Sequence, residues 1–140
     1  MDPFTWILKQ FQEYRTVDIR IGKKKLKALL ADTPEKRMIG LMYTDRLLSD
    51  QCMLFVFDDE DMYGIWMRNM NFPIDTIWIN SKMKIVDIEQ SMMPAKGLSF
   101  RTYKPKSPAL FVLETASGFV KKNKVSIYTK VFFELPKKEV

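Results

Sequence analysis

A mainly β fold is the expectation for this chain of 140 residues, because short apolar segments alternate with turn residues along most of its length. Val17-Asp18-Ile19-Arg20-Ile21 alternates with period two, the pattern of a half-buried strand. Met53-Leu54-Phe55-Val56-Phe57 is apolar at every position, as a strand covered on both faces is. Helical spacing is confined to the first third of the chain. The arrangement predicted is a β-sandwich or barrel, jelly-roll-like, with one short helix after the first hairpin and an amphipathic helix at the N-terminus.

The elements follow in order. Asp2 and Pro3 form a helix start, and Phe4, Ile7, Leu8 and Phe11 recur at helical spacing, so residues 1–15 are assigned to the amphipathic helix. A single β domain is expected over 16–135 and a frayed tail over 136–140. Within the domain, Gly22 and the lysines 23–25 turn a hairpin whose second strand is Leu26 to Ala31. Thr33-Pro34 caps a helix expected over 34–43, with Met38 and Met42 on one face. Asp58 to Asp61 reads as a solvent-facing acidic loop after the strand at 53–57. Ile65-Trp66-Met67 and Asp75 to Ile79 flank a polar corner from Arg68 to Pro73, and Lys84 to Ile88 is a further strand. Residues 89–108, with Pro94, Gly97, Pro105 and Pro108, read as a surface loop. A strand at 109–114, a helical turn at 119–122 and a long final strand at 125–135 complete the chain.

Several chemistries are excluded by inventory. Histidine is absent and Cys52 is the only cysteine, which removes an intramolecular disulfide, a structural zinc site and any imidazole-dependent nucleophile. The acidic stretch lacks the alternating ligands of a calcium loop. Nine of ten methionines fall between Met38 and Met93, where thioether sulfur suits either soft Cu(I) or flexible core packing, the latter being the expectation. No metal and no cofactor are therefore predicted, and Cys52 is expected to be an inert thiol.

The net charge of +6 is carried by the second half: residues 71–140 hold 12 basic and 6 acidic side chains, whereas 1–70 hold 11 of each. Such a surplus suits phosphate, an anionic membrane or acidic protein. If nucleic acid bound, Lys104, Lys106, Lys121, Lys122, Lys124 and Lys130 would carry the contact. No apolar run approaches the roughly 18 residues needed to span a bilayer, and the chain as written opens without a signal-like segment, so the predicted location is cytoplasmic.

Four segments in order resemble the domain-of-unknown-function 192 family: Arg37-Met38-Ile39-Gly40-Leu41-Met42; Met53 to Phe57; Ile65-Trp66-Met67-Arg68-Asn69-Met70 leading into Pro73-Ile74-Asp75; and Phe111-Val112-Leu113-Glu114 with Gly118. Together they span roughly residues 17–133. Cys52 stands where the family usually has glycine, and Tyr128-Thr129 where it usually has Gly-Asp. The resemblance implies a compact jelly-roll-like architecture and no accepted activity.

Polar residues set among apolar strands need partners if buried, at about 1 to 3 kcal/mol for each group left unpaired. Arg37, Asn69, Asp75 and Glu114 are such residues. One reading pairs them with one another: an ion pair from Arg37 to Asp75 or Glu114, with Asn69 bridging the corner. Another makes Arg37, Trp66, Asn69, Asp75 and Glu114 a ligand site for a small molecule or protein. A third makes Asp75 and Glu114 the general acid and base of a hydrolase or lyase, provided that the two carboxyl groups converge. Trp78, like the other strand aromatics, is expected in the core, and an outward aromatic platform is the alternative. The leading expectation is a non-catalytic binding or interaction module with no catalytic residue; oligomeric state and ligand are left open.

Overall fold

The computed structural model describes residues 14–48, 50–95 and 101–137. The amphipathic helix expected over residues 1–15 falls almost wholly outside them, as do residues 138–140 of the tail. Among the described residues nine strands and two short helices follow in the order β1 (Thr16–Ile21), β2 (Lys24–Ala31), α1 (Pro34–Ile39), β3 (Gln51–Asp61), β4 (Ile65–Trp66), β5 (Ile74–Ile79), β6 (Ile85–Met92), β7 (Thr102–Tyr103), β8 (Ala109–Ala116), α2 (Phe119–Lys122) and β9 (Val131–Phe132). Seven strands form one sheet in the order β6-β5-β8-β3-β2-β1-β9, and β4 pairs with β7 in a separate two-stranded ribbon.

The chain is mainly β, as expected, but its topology includes a device the sequence did not announce. β2 and β3 run parallel, from Lys27 opposite Gln51 to Ala31 opposite Phe55. A parallel pair cannot be closed by a tight turn, and the connection between these two strands carries α1. The Thr33 hydroxyl accepts the Lys36 N–H at 3.2 Å and Pro34 occupies the first turn, so the start is the one predicted. The helix ends at Ile39, short of the expected residue 43, because Gly40 (φ +49°) bends the chain over the ring of Phe55. A Cβ at Gly40 would lie 3.1 Å from Phe55 Cζ.

Both faces of the sheet are covered. One apolar cluster takes Ile19, Ile21, Leu30, Leu54, Ile77, Ile79 and Leu113 from strands across the sheet, with Val120 and Val131 added from α2 and β9. Phe133, just beyond β9, meets Phe111 of β8 edge to face at 5.0 Å, so the sheet curls around this cluster. On the other face Met53, Phe55, Trp78 and Val112 pack with Leu41 from the crossover and Ile65 and Met67 from the β4 corner. This double cover accounts for the unbroken apolar run of β3 and for the burial of every side chain of Ile74–Ile79, Asp75 and Thr76 included.

Other departures have local causes. Asp58 to Asp61 continue β3, with Asp61 opposite Ala109 beyond a break in register. β6 runs to Met92, and β7 lies in the segment expected to be loop. The long final strand shrinks to Val131–Phe132, because residues 125–130 are taken up by turns.

Asp75 is a fully buried carboxyl on β5, between β6 and β8. Its Oδ1 accepts the Ser91 N–H at 2.8 Å, and its Oδ2 accepts the N–H groups of Gly118 at 3.1 Å and Val120 at 2.9 Å. Ser91 has φ +51° where the β5–β6 register breaks, and Gly118 with φ +91° opens α2. One side chain therefore satisfies three backbone donors that neither strand pairing nor helix can reach. Hydrogen bonds to a charged acceptor contribute about 1.5–3 kcal/mol each. Asp75→Asn, which swaps an accepting oxygen for a donating amide, is expected to lower the unfolding free energy by about 3 kcal/mol or more. Urea denaturation measures this, and a loss below about 1 kcal/mol would show that the three contacts are replaceable.

Candidate functional site

A cleft of about 430 Å³ opens between α1 with its following turn and the β4 corner, over the second face of the sheet. Its walls are largely apolar: Ile39, Met42, Phe55, Trp66 and Met70 contribute, and Glu114 is at its base. Met38, 71% exposed, and Trp66, 43% exposed, leave apolar surface at the mouth.

Glu114 is central to β8, opposite Met53 of β3 and Thr76 of β5. It is only 5% exposed. The neighbouring Thr76 hydroxyl donates to the Met92 sulfur at 3.0 Å rather than to the carboxyl. Among the described residues no hydrogen bond or ion pair reaches Glu114, and the only ion pair joins Arg15 to Asp32. Burial without compensation raises its pKa from 4.5 to about 8. The group is therefore mostly protonated at neutral pH, an O–H donor at the base of an apolar cleft.

Arg37 lines the same cleft, but its guanidinium is engaged elsewhere. Nη1 donates to the Val56 carbonyl at 2.8 Å, and the group lies 5.2 Å from the Phe57 ring centre. The expected ion pair from Arg37 to a carboxylate is thus replaced by a backbone and an aromatic contact. Asn69 adopts φ +57°; its carbonyl accepts the Tyr43 N–H at 2.9 Å and its Nδ2 approaches the Met42 sulfur at 3.8 Å. It joins the β4 corner to the turn after α1 and does not bridge to Asp75. Trp66 carries the Arg68 guanidinium 5.7 Å from its ring.

Asp75 is separated from the other four. Asp75 pairs with Thr115, and Thr76 with Glu114. Neighbouring positions on a strand alternate faces, so the two carboxyl groups point to opposite sides of the sheet. They cannot act on one small substrate, and the paired acid and base expected of them is overturned by parity. Trp78 is in the core, as expected of a strand aromatic, and the alternative of an outward platform fails because of the same double cover. Trp78 is 1% exposed, and its indole N–H donates to the Tyr63 carbonyl at 2.9 Å.

Phe55, Phe57, Met42 and Met70 were not singled out for this cleft by sequence. The available signal was Gly40, whose missing Cβ lets the crossover approach Phe55. Cys52 is buried in β3, and burial, reinforced by the Asp50 charge, raises its thiol pKa, which disfavours the thiolate a nucleophile needs. No group of three or more Cys, Asp or Glu residues able to hold a metal ion occurs among the described residues. Lys104 and Lys106 follow β7, whereas Lys121, Lys122, Lys124 and Lys130 lie on α2 and the turns before β9; all six are exposed. No helix among the described residues is long and apolar enough to cross a membrane.

Solved structures share this fold. A Sinorhizobium meliloti protein described as a candidate transcription regulator superposes with a TM-score of 0.80 at 28% sequence identity, over 86% of this chain and 95% of that one. A protein of unknown function from Novosphingobium aromaticivorans gives a TM-score of 0.75 at 24% identity, over 84% of each chain, a likeness of fold. UPF0127 proteins of Thermococcus gammatolerans and Thermococcus kodakarensis are 32% and 31% identical over 94 and 97 residues, or 66% and 68% of this chain. The matched regions span 56% and 57% of those relatives' lengths. Residues 17–133 match the domain-of-unknown-function 192 family, described as an uncharacterized ACR, and the chain belongs to that family.

Proposed function

We propose that the chain is a non-catalytic binding module whose cleft takes a largely apolar ligand, small molecule or peptide side chain, that presents one hydrogen-bond acceptor. The observation that carries this reading is Glu114, buried and without a partner among the described residues at the base of that cleft. The Glu114 carboxyl has no hydrogen bond to the protein among the described residues and faces the cleft. A ligand carbonyl seated there can accept the Glu114 O–H, which then has a fixed partner in an apolar setting. Apolar walls with a single polar group for orientation are the general form of a small-molecule site. Arg37 holds one wall through Val56, Trp66 supplies aromatic area at the mouth, and Asn69 braces the corner. Asp75 takes no part in this reading, and Glu114 without a second carboxylate lacks the partner that a hydrolase would need.

Two outcomes follow from the protonation of Glu114. Its folded pKa lies above its unfolded one, so its contribution to stability is complete below about pH 4.5 and is lost as pH rises through about 8. Wild-type stability is expected to fall across that interval relative to Glu114→Gln, which does not titrate; parallel pH curves for the two proteins would contradict the protonated group.

The binding test uses octanamide, a neutral apolar chain with a carbonyl acceptor, followed by NMR shifts of the Arg37 and Trp66 side chains. Wild type is expected to lose affinity as pH rises through about 8. Glu114→Gln, which keeps an N–H donor, should bind without that pH dependence, and Glu114→Leu should bind about tenfold more weakly. No shift at the cleft in any of the three proteins would dismiss the ligand site.

A further inference from the structure

At one end of the sheet, two turns distant in sequence form a second surface. Ile127 and Tyr128 occupy the tip of a turn closed by three hydrogen bonds: Thr129 N–H to the Ser126 carbonyl at 3.0 Å, Ser126 N–H to the Thr129 hydroxyl at 2.8 Å, and Tyr128 N–H to the Ser126 hydroxyl at 3.2 Å. The turn is anchored on both sides. The Val125 N–H donates to Val120, and the Lys130 carbonyl accepts the Gly22 N–H. Its tip nonetheless stands clear of the fold, with Ile127 51% and Tyr128 87% exposed.

The β5–β6 turn meets it. Asn80 Oδ1 accepts the N–H groups of both Lys82 and Lys84 at 3.0 Å, which fixes that turn. Lys82, Lys84, Ile127, Tyr128, Lys130 and half-exposed Phe132 line one shallow depression. Between Phe119 and Phe133 there are four lysines and no acidic residue. None of these lysines forms an ion pair among the described residues.

We propose that this end of the sheet docks reversibly on an anionic phospholipid surface, with Ile127 and Tyr128 entering the headgroup region and Lys82, Lys84 and Lys130 meeting lipid phosphates. The chemistry favours this occupant over single-stranded nucleic acid. A base needs a flat platform to stack on, and the tip pairs its one aromatic ring with an aliphatic side chain that gains only by leaving water. Tyrosine, with an apolar ring and a polar end, suits the boundary between headgroups and acyl chains, and surrounding ammonium groups complement the negative leaflet. The hydrogen-bonded turns present these groups already ordered, so docking costs little conformational freedom.

The test is sedimentation of the full chain with phosphatidylcholine vesicles, with and without phosphatidylglycerol, beside a single-stranded polythymidylate control. Binding is expected only to vesicles containing phosphatidylglycerol and is expected to weaken with added salt. Ile127→Ser with Tyr128→Ser, both at exposed positions, should fold with unchanged thermal stability and lose binding at least about tenfold. Each of Lys82→Gln, Lys84→Gln and Lys130→Gln should weaken binding about fivefold. Absence of vesicle binding overturns the proposal. So does vesicle binding unaffected by the turn variants, which would assign the contact to another segment, or binding to polythymidylate alone.

Discussion

Much of this architecture is gathered at the Asp75 carboxylate. β5 has to pair with β8 on one side and β6 on the other, and the β6 pairing loses register opposite Asp75, leaving the Ser91 N–H without a strand partner. Across β8 the chain turns through Ser117 and Gly118 into a helix of four residues, whose first N–H groups, as in every helix, find no partner within it. A single side chain answers both defects. It thereby fixes the position of Phe119 and Val120, which lie over the apolar face formed by Ile19, Leu54 and Ile77. The cover over that face depends on a polar contact beneath it.

The opposite face obeys a different constraint. Its cover comes from the crossover that the parallel β2–β3 pair requires and from the β4 corner, and the two do not meet over Glu114. Met53 and Thr76 flank Glu114 without solvating it. The cleft is therefore a gap in the layer covering the sheet, and the residue beneath the gap is ionisable. Thr76 shows the contrast: it is fully buried and finds the Met92 sulfur.

The sequence disclosed features that depend on neighbouring residues. The β1–β2 hairpin follows from alternation and Gly22, the start of α1 from Thr33-Pro34, and the double cover of β3 from its apolar run. Features set by contacts between distant residues were misread. Asp58 to Asp61 looked like a loop because acidic residues rarely favour strands, yet the chain continues along β8 as far as Ala109. Residues 125–135 looked like one strand because their apolar content is high, whereas Ser126 and Thr129 close a turn within them. Of the five candidate site residues, Arg37, Trp66 and Glu114 line one cleft and Asn69 braces its corner. Asp75 was grouped with Glu114 because both are acids among apolar residues. Which face each occupies depends on the β5–β8 register, and no pattern within either segment encodes it.

Strand order also bears on synthesis. β8 lies between β3 and β5, so those two strands are never neighbours although β8 follows both in sequence. A chain emerging from the ribosome can form the β1–β2 hairpin and the β5–β6 pair early, as two separate pieces with open edges. They become one sheet only when residues 109–116 arrive to join them, so the last third of the chain acts as the keystone. Until then, the edges of β3 and β5 are available to any passing strand, so the sheet is most aggregation-prone in the interval before residues 109–116 join it.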